Sequence, residues 1–441
     1  MTIAELPTLT VPSTRKLDGL PVVVIGAGPV GLAAAAQLLE RGIDVLVLEA
    51  GETAGASVRA WGHTKLFSPW EYLVDEAAGR LLDKAGWQAP AAKTLPFGRE
   101  LVEEYLVPLA AAPELASRIQ YDSTVTDVTR QGMDRTRSIG RSSTPFLLRI
   151  RRGGRVALQL ARAVIDASGT YGTPNGLTAG GISPTDPDSV RNNILPALPD
   201  VLGADRARFA GKHTLVVGAG HSAANTLLKL SVLALEASGT TVTWTIRGAD
   251  PVRVFGSEND ELEARGQLGN STHDLVRQGR ISLLDSFEID DLRPAAGDRV
   301  VVDGRRRGEA VSIEVDQVVN ATGFRPNLDM LREIRLSLDE IVEAPRALAP
   351  LIDPNLHGCG TVHPHGVAEL AHPEPNFFLA GMKSYGRAPT FLLLTGYEQV
   401  RSIADELAGN HGAARQVRLV LPETGVCSTA NAAESASACC N

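Results

Sequence analysis

Two glycine-rich segments have the residue types and spacing that bind dinucleotides. The first reads Val22-Val23-Val24-Ile25-Gly26-Ala27-Gly28-Pro29-Val30-Gly31, and the second reads Thr214-Leu215-Val216-Val217-Gly218-Ala219-Gly220-His221-Ser222-Ala223. In such a segment the glycines allow a tight turn, a close approach of backbone to a pyrophosphate, and close packing of helix on strand. The helix N-terminus supplies free N–H groups and a positive dipole for the phosphates. Two such segments predict an enzyme that holds two nucleotides and passes electrons between them. The candidate nucleotide contacts are Gly26, Gly28, Pro29, Gly31, Gly218, Gly220, Ser222 and Ala223.

The first segment has an acidic partner. Glu49 ends the apolar run that follows the first helix, about twenty residues after the glycines, as in sites that bind a ribose. A carboxylate there accepts hydrogen bonds from ribose hydroxyls and repels a 2′-phosphate. The first site is therefore predicted to take FAD or NAD rather than NADP.

The second segment ends differently, because Ala223 replaces the third glycine and Arg247 replaces the acid. An arginine at this position pairs with a 2′-phosphate through charge-assisted hydrogen bonds, which favours NADPH. Ser222 is then expected near the phosphates. The alternative is that Arg247 is a solvated charge at the end of a strand, in which case the site takes NADH.

These motifs require strands and helices in alternation, so the predicted fold class is α/β with two Rossmann-like dinucleotide-binding domains. We expect strands at 22–25, 44–49, 213–217 and 242–247, with helices at 32–41, 221–236 and 390–407. The FAD-binding domain is assigned to 21–175 and 315–410, interrupted by an NADPH-binding domain with connectors at 176–314. Residues 1–20 are predicted to be an N-terminal extension, and 411–441 a flexible tail. Val125, in an alternating strand predicted at 121–129, is included among the FAD contacts.

Composition excludes several classes of protein. The chain has 441 residues, of which 44% are hydrophobic and 21% are charged, as in a soluble globular protein. A formal net charge of −8 gives no reason to expect nucleic-acid binding. No apolar run approaches the roughly 20 residues that span a bilayer, and the first twenty residues do not resemble a secretory signal. With four cysteines in the chain, we expect a cytoplasmic protein, with a homodimer as the default assembly.

Two further segments carry a resemblance to a known group. They are Asp166-Ala167-Ser168-Gly169 and Asn320-Ala321-Thr322-Gly323-Phe324-Arg325-Pro326-Asn327, at the predicted crossings between domains. With the two fingerprints and Phe209-Ala210-Gly211-Lys212, they make residues 20–408 resemble two-dinucleotide-binding-domain flavoproteins. The resemblance is to the flavin-containing and N-hydroxylating monooxygenases. It implies FAD, NADPH, O₂ and a small-molecule substrate, with cofactor contacts from Ser168, Gly169, Thr322 and Gly323.

The chain also departs from that group. The pattern Phe-x-Gly-x-x-x-His is not legible in residues 176–205, and Gly381-Met382-Lys383 stands where many relatives have a Gly-Asp pair. Gly381 can still present its backbone to the flavin. Lys383 is predicted to stabilise negative charge on the reduced flavin, and a plain surface role is the alternative.

The absence of a Cys-x-x-Cys pair, and of any cysteine in 51–60, excludes the two familiar designs of disulfide reductase. Reduced flavin then most simply passes electrons to O₂ through a flavin hydroperoxide, while the protein positions the substrate and excludes water. Arg59 is predicted to contact the pyrophosphate. Trp61, at the start of an aromatic stretch, is predicted to line the flavin and substrate pocket, with core packing as the alternative. Tyr385 and Arg387 are candidates to hold the substrate, or else belong to a structural loop.

Cys427, Cys439 and Cys440 suggest a second hypothesis. Three thiolates form a soft ligand set for Hg(II) or As(III), and the adjacent pair resembles the metal-delivering cysteines of mercuric reductase. This reading gives a flavin-dependent oxidoreductase for metal(loid) detoxification, with arsenic resistance as its context. The alternatives are a tail without function and a redox-active thiol pair. A third hypothesis, a flavin redox sensor without turnover, does not account for the second nucleotide site.

Overall fold

The computed structural model describes residues 17–249, 263–354, 364–389 and 391–419. Two five-stranded parallel sheets form its centres, which confirms the predicted α/β class with two Rossmann-like domains. In spatial order, the first sheet contains β16 (Phe377–Leu379), β7 (Ala163–Asp166), β1 (Val22–Ile25), β2 (Val45–Leu48) and β3 (Ile119–Gln120). The second sheet contains, in spatial order, β11 (Ser282–Leu284), β10 (Thr241–Thr245), β9 (His213–Val217), β15 (Gln317–Asn320) and β8 (Ile194–Leu195).

Each parallel sheet is accompanied by a three-stranded antiparallel sheet. The first of these contains β4 (Thr124–Arg130), β5 (Phe146–Arg152) and β6 (Arg155–Ala161). The second contains β12 (Phe287–Ala295), β13 (Arg299–Arg306) and β14 (Glu309–Val315). Buried residues alternate with more exposed ones along β4 and most of β12, as expected when one face of an antiparallel sheet is solvated.

Helices cover the parallel sheets. The longer helices are α1 (Pro29–Glu40), α3 (Glu76–Lys84), α9 (His221–Glu236), α10 (Glu263–Arg277) and α12 (Leu393–Leu407). The short helices are α2 (Ala56–Arg59), α4 (Gly98–Glu100), α5 (Val107–Ala110), α6 (Pro113–Ala116), α7 (Pro187–Val190), α8 (Arg206–Phe209), α11 (Ala349–Ile352) and α13 (His411–Ala414). A π-helical turn spans Leu101–Leu106, and 3₁₀ turns span Trp70–Tyr72, Arg141–Ser143, Arg191–Asn193, Asp329–Leu331 and Gly381–Tyr385. Among the described residues, no helix is both long and apolar enough to cross a membrane.

The centre of the first domain forms because its elements are apolar on every side. All four residues of β1 are buried, as is typical of a strand covered on both faces of a parallel sheet. The run of alanines in α1 lets that helix lie close to its neighbours, and Ala33 to Ala35 are fully buried. A side-chain carbon added at Gly396 of α12 would lie 2.6 Å from Val30 of α1, so the two helices touch where α1 begins.

The structure corrects the predicted domain limit at residue 315. Strand β15 pairs in parallel with β9 and β8, and it therefore completes the second sheet instead of returning to the first. Its apolar core, Val318 and Val319, is fully buried, and such a short apolar run gives no sign of which sheet it joins.

Two segments connect the domains side by side. Pro174 and Phe324 form an antiparallel bridge, the N–H of Asn175 donates to the carbonyl oxygen of Gly323 at 3.0 Å, and the N–H of Arg325 donates to that of Thr173 at 3.0 Å. The crossings predicted from sequence are thus a two-stranded connection that ends at the glycine turn of the second sheet.

Candidate functional site: two dinucleotide sites

The first glycine turn has the shape that a pyrophosphate requires. Gly26 has a φ of +99°, and a Cβ there would lie 2.9 Å from the carbonyl oxygen of Ala167. A Cβ at Gly31 would lie 2.0 Å from the carbonyl oxygen of Gly26, whereas around Gly28 the described chain leaves open space. Among the described residues, no side chain caps the N-terminus of α1. The turn therefore fits a dinucleotide, because the uncapped N-terminus of α1 and the open space around Gly28 lie next to each other in the chain.

Glu49 braces this turn from the end of β2. Its Oε2 accepts a hydrogen bond from the N–H of Ala27 at 2.6 Å, and its Oε1 accepts one from the N–H of Gly51 at 2.7 Å. The predicted acid therefore lies beside the fingerprint, where both of its carboxylate oxygens hold the turn. Its contact with a ribose stays a prediction.

A buried ion pair lies behind the same turn. Nζ of Lys383 donates to Oδ2 of Asp166 at 2.6 Å and to Oγ of Ser168 at 3.0 Å, while the Ser168 hydroxyl donates to Oδ1 of Asp166 at 2.7 Å. The Lys383 side chain is only 1% exposed, so the surface alternative for this residue is wrong. Asp166 is in register with Ile25 of β1 and Leu379 of β16, which places the pair at the carboxyl edge of the sheet.

Gly381 begins the 3₁₀ turn that carries Lys383. Its φ is +68°, and a Cβ there would lie 3.2 Å from the Val30 side chain, so the turn touches the start of α1. Its N–H donates to Oε1 of Gln399 at 2.8 Å, whose amide nitrogen lies 2.9 Å from Oγ of Ser384 and 2.8 Å from Nε2 of His365. The Gly381 N–H is therefore used inside the protein, and a contact of the rest of its backbone with the flavin stays a prediction.

The two candidate substrate contacts differ in exposure. Tyr385 is fully buried between the rings of His365 and Phe391, and its hydroxyl has no hydrogen-bond partner of ordinary geometry among the described residues. Burial raises the pKa of the Tyr385 hydroxyl, although the nearby Thr395 hydroxyl opposes the shift. Arg387 is exposed, and its N–H donates to the carbonyl oxygen of Val342. Their contact with a substrate stays a prediction, and the structure does not bring their polar groups together.

The remaining contacts predicted for the first site are spread around it. Arg59 is exposed, and its Nη1 lies 3.4 Å from Oε1 of Glu103. Trp61 is half-buried and lies against Gly98, where a Cβ would be 2.7 Å from the indole ring. Val125 is buried in β4, next to a break in the register with β5. Gly169 has a φ of +71° directly after the buried pair. The positions of Trp61 and Val125 are equally those of packing residues.

The second glycine turn repeats the shape of the first. Gly218 has a φ of +131°, and a Cβ there would lie 2.1 Å from the carbonyl oxygen of Ala321. Gly220 faces open space in the described chain, and no described side chain caps the N-terminus of α9. Ala223 is fully buried, so the helix tolerates a methyl group where the first has Gly31, while Ser222 is half-buried in the first turn of the helix. This turn also fits a dinucleotide.

The side chains that join the two crossings beside the second turn are neutral. The Thr322 hydroxyl lies 2.6 Å from Oδ1 of Asn320 and 3.2 Å from the carbonyl oxygen of Asn175. The Asn175 amide donates to the carbonyl oxygen of Thr322 at 3.1 Å, and Gly323 turns away with a φ of +92°. Arg247 is exposed, and its Nη1 donates to the carbonyl oxygen of Ala179 at 3.3 Å. A 2′-phosphate contact from Arg247 stays a prediction.

Sequence reasoning missed Asp166 as the partner of Lys383, and it missed Gln399. A charged residue ending the apolar run Ala163-Val164-Ile165 was the available signal for Asp166. Nothing in the helical pattern around Gln399 distinguishes it from a surface glutamine. Cys427, Cys439 and Cys440 lie outside the described residues, and within the described ranges no group of histidine, cysteine and acidic residues has the arrangement of a metal site.

The chain belongs to the pyridine nucleotide-disulphide oxidoreductase family, whose sequence profile matches residues 23–346. A comparison with curated protein sequences finds no match. The chain is therefore a two-dinucleotide-binding flavoprotein and an oxidoreductase by family.

Solved structures of similar fold include a disulfide reductase, a monooxygenase and an N-hydroxylase. The bacillithiol disulfide reductase of Bacillus cereus is 20% identical, with a TM-score of 0.63 over 89% of this chain and 99% of that one. The FAD-bound cadaverine monooxygenase of Erwinia amylovora is 14% identical, with a TM-score of 0.62 over 92% and 98%. The ornithine N-hydroxylase of Kutzneria sp. 744, with reduced FAD, NADP⁺ and L-ornithine, is 16% identical, with a TM-score of 0.56 over 89% and 99%. FAD and NADPH, the cofactors predicted from the sequence, are consistent with this family and these structures.

Proposed function

We propose that the protein is an FAD-dependent monooxygenase that is reduced by NADPH and passes electrons to O₂ and a small-molecule substrate. The observation that carries the proposal is that the chain has no cysteine before Cys359. The two glycine turns, the two crossings and the turn that carries Lys383 contain no cysteine. The four cysteines of the chain are Cys359, Cys427, Cys439 and Cys440.

The two turns divide the cofactors between them. Glu49 favours a nucleotide without a 2′-phosphate in the first site, and Arg247 favours a 2′-phosphate in the second. FAD, when bound, accepts a hydride from NADPH and delivers the electrons to oxygen. The chain's own residues bind the two pyrophosphates at the N-termini of α1 and α9 and fix their positions through the paired crossings.

Lys383 holds a positive charge where the first site needs one. Its ammonium group has three N–H bonds, and Asp166 and Ser168 accept two of them. Among the described residues no acceptor is present for the third, so one N–H remains to donate at the carboxyl edge of the sheet. Although Asp166 balances the charge of Lys383, a fixed N–H of the ammonium group stabilises an anionic group at this edge more strongly than it would in water, because the surroundings are desolvated.

The similar folds leave the electron acceptor open, since one is a disulfide reductase, one a monooxygenase and one an N-hydroxylase. The test therefore compares the full chain with a cysteine-free variant that carries Cys359→Ser and lacks residues 427–441. Both proteins are reduced with NADPH without oxygen and then mixed with aerated buffer. We expect reoxidation in two resolved absorbance steps in both proteins, with NADPH oxidation rapid in both.

Three outcomes contradict the proposal. A single slow reoxidation step in the full chain rules against a monooxygenase. NADPH-dependent reduction of a disulfide by the full chain, lost in the cysteine-free variant, supports a thiol route instead. Failure of NADPH to reduce the flavin at all favours the redox sensor.

The metal(loid) hypothesis is a second candidate because of where the described chain ends. The N–H of Arg418 donates to Oε1 of Glu398 at 3.0 Å, one residue before Gln399, which holds Gly381. The chain therefore leaves α12 close to the first site. Residues 419 to 439 span at most about 70 Å when fully extended, which is enough to reach that site or a second copy. Loss of NADPH-dependent turnover of arsenicals or mercurials on deleting 427–441 supports this candidate, and unchanged turnover contradicts it.

A further inference from the structure

One segment of the first domain contacts the second domain at its nucleotide turn. The ring of Phe67 lies 5.3 Å from that of His221, at an interplanar angle of 61°. His221 is the first residue of α9, directly after Gly220. Phe67 also packs against the hydrophobic core of the second domain, although it follows the first βαβ unit in sequence. The aromatic stretch that we assigned to the flavin pocket thus reaches the other nucleotide site.

A second contact fixes the same segment along α9. Nζ of Lys229 donates to the carbonyl oxygen of His63 at 3.3 Å. Burial lowers the pKa of the Lys229 ammonium group. Burial and the neighbouring Lys229 charge also lower the pKa of His63. Both residues are half-buried, so this contact is partly shielded from water, and together with the Phe67 ring it fixes the segment against α9.

We propose that Phe67 is a positioning residue of the pyridine-nucleotide site, so that the first domain supplies one wall of the site in the second. The proposal rests on the proposed function, in which the Gly218–Gly220 turn binds NADPH. A nucleotide whose phosphates rest on the N-terminus of α9 meets an aromatic ring from the other domain next to the first helical residue. Binding of the pyridine nucleotide is then sensitive to how the two domains are placed, which a site built from one domain alone is not.

The same arrangement assigns Lys229 a supporting role. It lies eight positions after His221, about two helical turns from the phosphate end, so it does not reach a nucleotide there. Its bond to the His63 carbonyl holds the segment whose far end is Phe67. Removing the Lys229 ammonium group therefore loosens the segment that carries Phe67 but leaves the Phe67 ring in place.

The experiment measures NADP⁺ binding to the full FAD-loaded protein by isothermal titration calorimetry. For Phe67→Ala we expect the dissociation constant to rise about five- to tenfold, as for loss of an aromatic contact. Phe67→Tyr keeps the ring and is expected within about twofold of the wild type, and Lys229→Met is expected between the two. Leu235→Ala, at a 74% exposed position on the same helix, is the matched control and should leave binding unchanged.

Each outcome separates the inference from the proposed function. A wild-type protein that binds neither NADP⁺ nor NAD⁺ overturns the proposed function and this inference with it. Normal wild-type binding with unchanged or tighter binding by Phe67→Ala overturns the inference alone. Flavin content and melting temperature are measured for every variant. If Phe67→Ala fails to fold, Phe67→Leu, which keeps an apolar contact with the second core, is expected to weaken NADP⁺ binding about threefold, and unchanged binding by that variant overturns the inference.

Discussion

The two nucleotide turns share a backbone shape but differ in what surrounds them. Charged groups that are buried or braced by backbone surround the first, where Lys383 pairs with Asp166 and Glu49 accepts from two backbone N–H groups. At the second, the neutral side chains of Asn175 and Thr322 hold one crossing to the other, and the charged Arg247 is exposed. A buried charge pair resists removal of either partner, whereas a neutral hydrogen bond can be lost at small cost. We therefore expect the first turn to tolerate the loss of a side chain less well than the second.

The largest expected difference between the two sites is the loss of stability caused by Lys383→Met, because this substitution leaves the Asp166 carboxylate buried without its cation. Such a loss costs about 3–5 kcal/mol of the free energy of unfolding, whereas Thr322→Val in the second site should cost about 1 kcal/mol. Urea unfolding with excess FAD measures both. Adding Asp166→Asn to Lys383→Met should recover more than half of the loss. Equal losses in the two sites would refute the distinction between them.

Titration sharpens the comparison, because the largest pKa shifts among the described residues belong to the first domain. Burial raises the pKa of Asp75 from 3.8 to about 6, although the Ala78 N–H and the Gln37 amide oppose the shift. Its contribution to stability is therefore present at low pH and is lost as the pH rises to about 6. Burial lowers the pKa of His372 from 6.5 to about 4, so its contribution is present above about 6.5 and is lost as the pH falls.

Because these two slopes oppose each other, they nearly cancel in the wild type. Asp75→Asn removes the opposing slope of Asp75, so that between pH 4 and 6.5 its free energy of unfolding should rise by about 3 kcal/mol more than that of the wild type. His372→Gln should show the reverse trend, a fall of similar size. Urea unfolding at a series of pH values checks both, and parallel profiles in the two variants would contradict the assignment.

A smaller effect is expected from Glu49→Gln. Hydrogen bonds to a charged acceptor contribute about 1.5–3 kcal/mol, so a loss of about 2 kcal/mol should weaken FAD binding roughly thirtyfold. Glu52→Gln, at an exposed position three residues later, is the control. Flavin release followed by absorbance after dilution gives the dissociation constant. Equal retention by both variants would show that the brace at Ala27 does not need a charge.

The smallest change belongs to the second site. Arg247→Ala should raise the KM for NADPH about tenfold and leave the KM for NADH unchanged, because the exposed arginine contributes only through the 2′-phosphate. Arg293→Ala, an exposed arginine of the antiparallel sheet, is the control. A similar rise for both nucleotides would mean that Arg247 only shapes the loop near Ala179.

The sequence could predict individual strands and helices, but it could not predict which elements contact each other in the fold. The Val22–Ile25 strand and the His221–Glu236 helix follow directly from the apolar runs and the glycines beside them. The strand at Gln317–Asn320 was placed in the wrong sheet, because a run of four residues does not indicate which strands it pairs with. Lys383 was identified as unusual, but its partner lies 217 positions away and could be found only once the fold joined them.

The indole of Trp244 lies against the second glycine turn. It is fully buried in β10, and its N–H donates to the carbonyl oxygen of Gly218 at 2.8 Å. The other three tryptophans, Trp61, Trp70 and Trp87, precede the second domain in the chain. A ligand that polarises the Gly218 carbonyl changes the hydrogen bond to this indole and shifts its emission. We therefore expect part of the tryptophan emission to respond to a ligand at the second turn, which would allow binding there to be followed in real time without labelling.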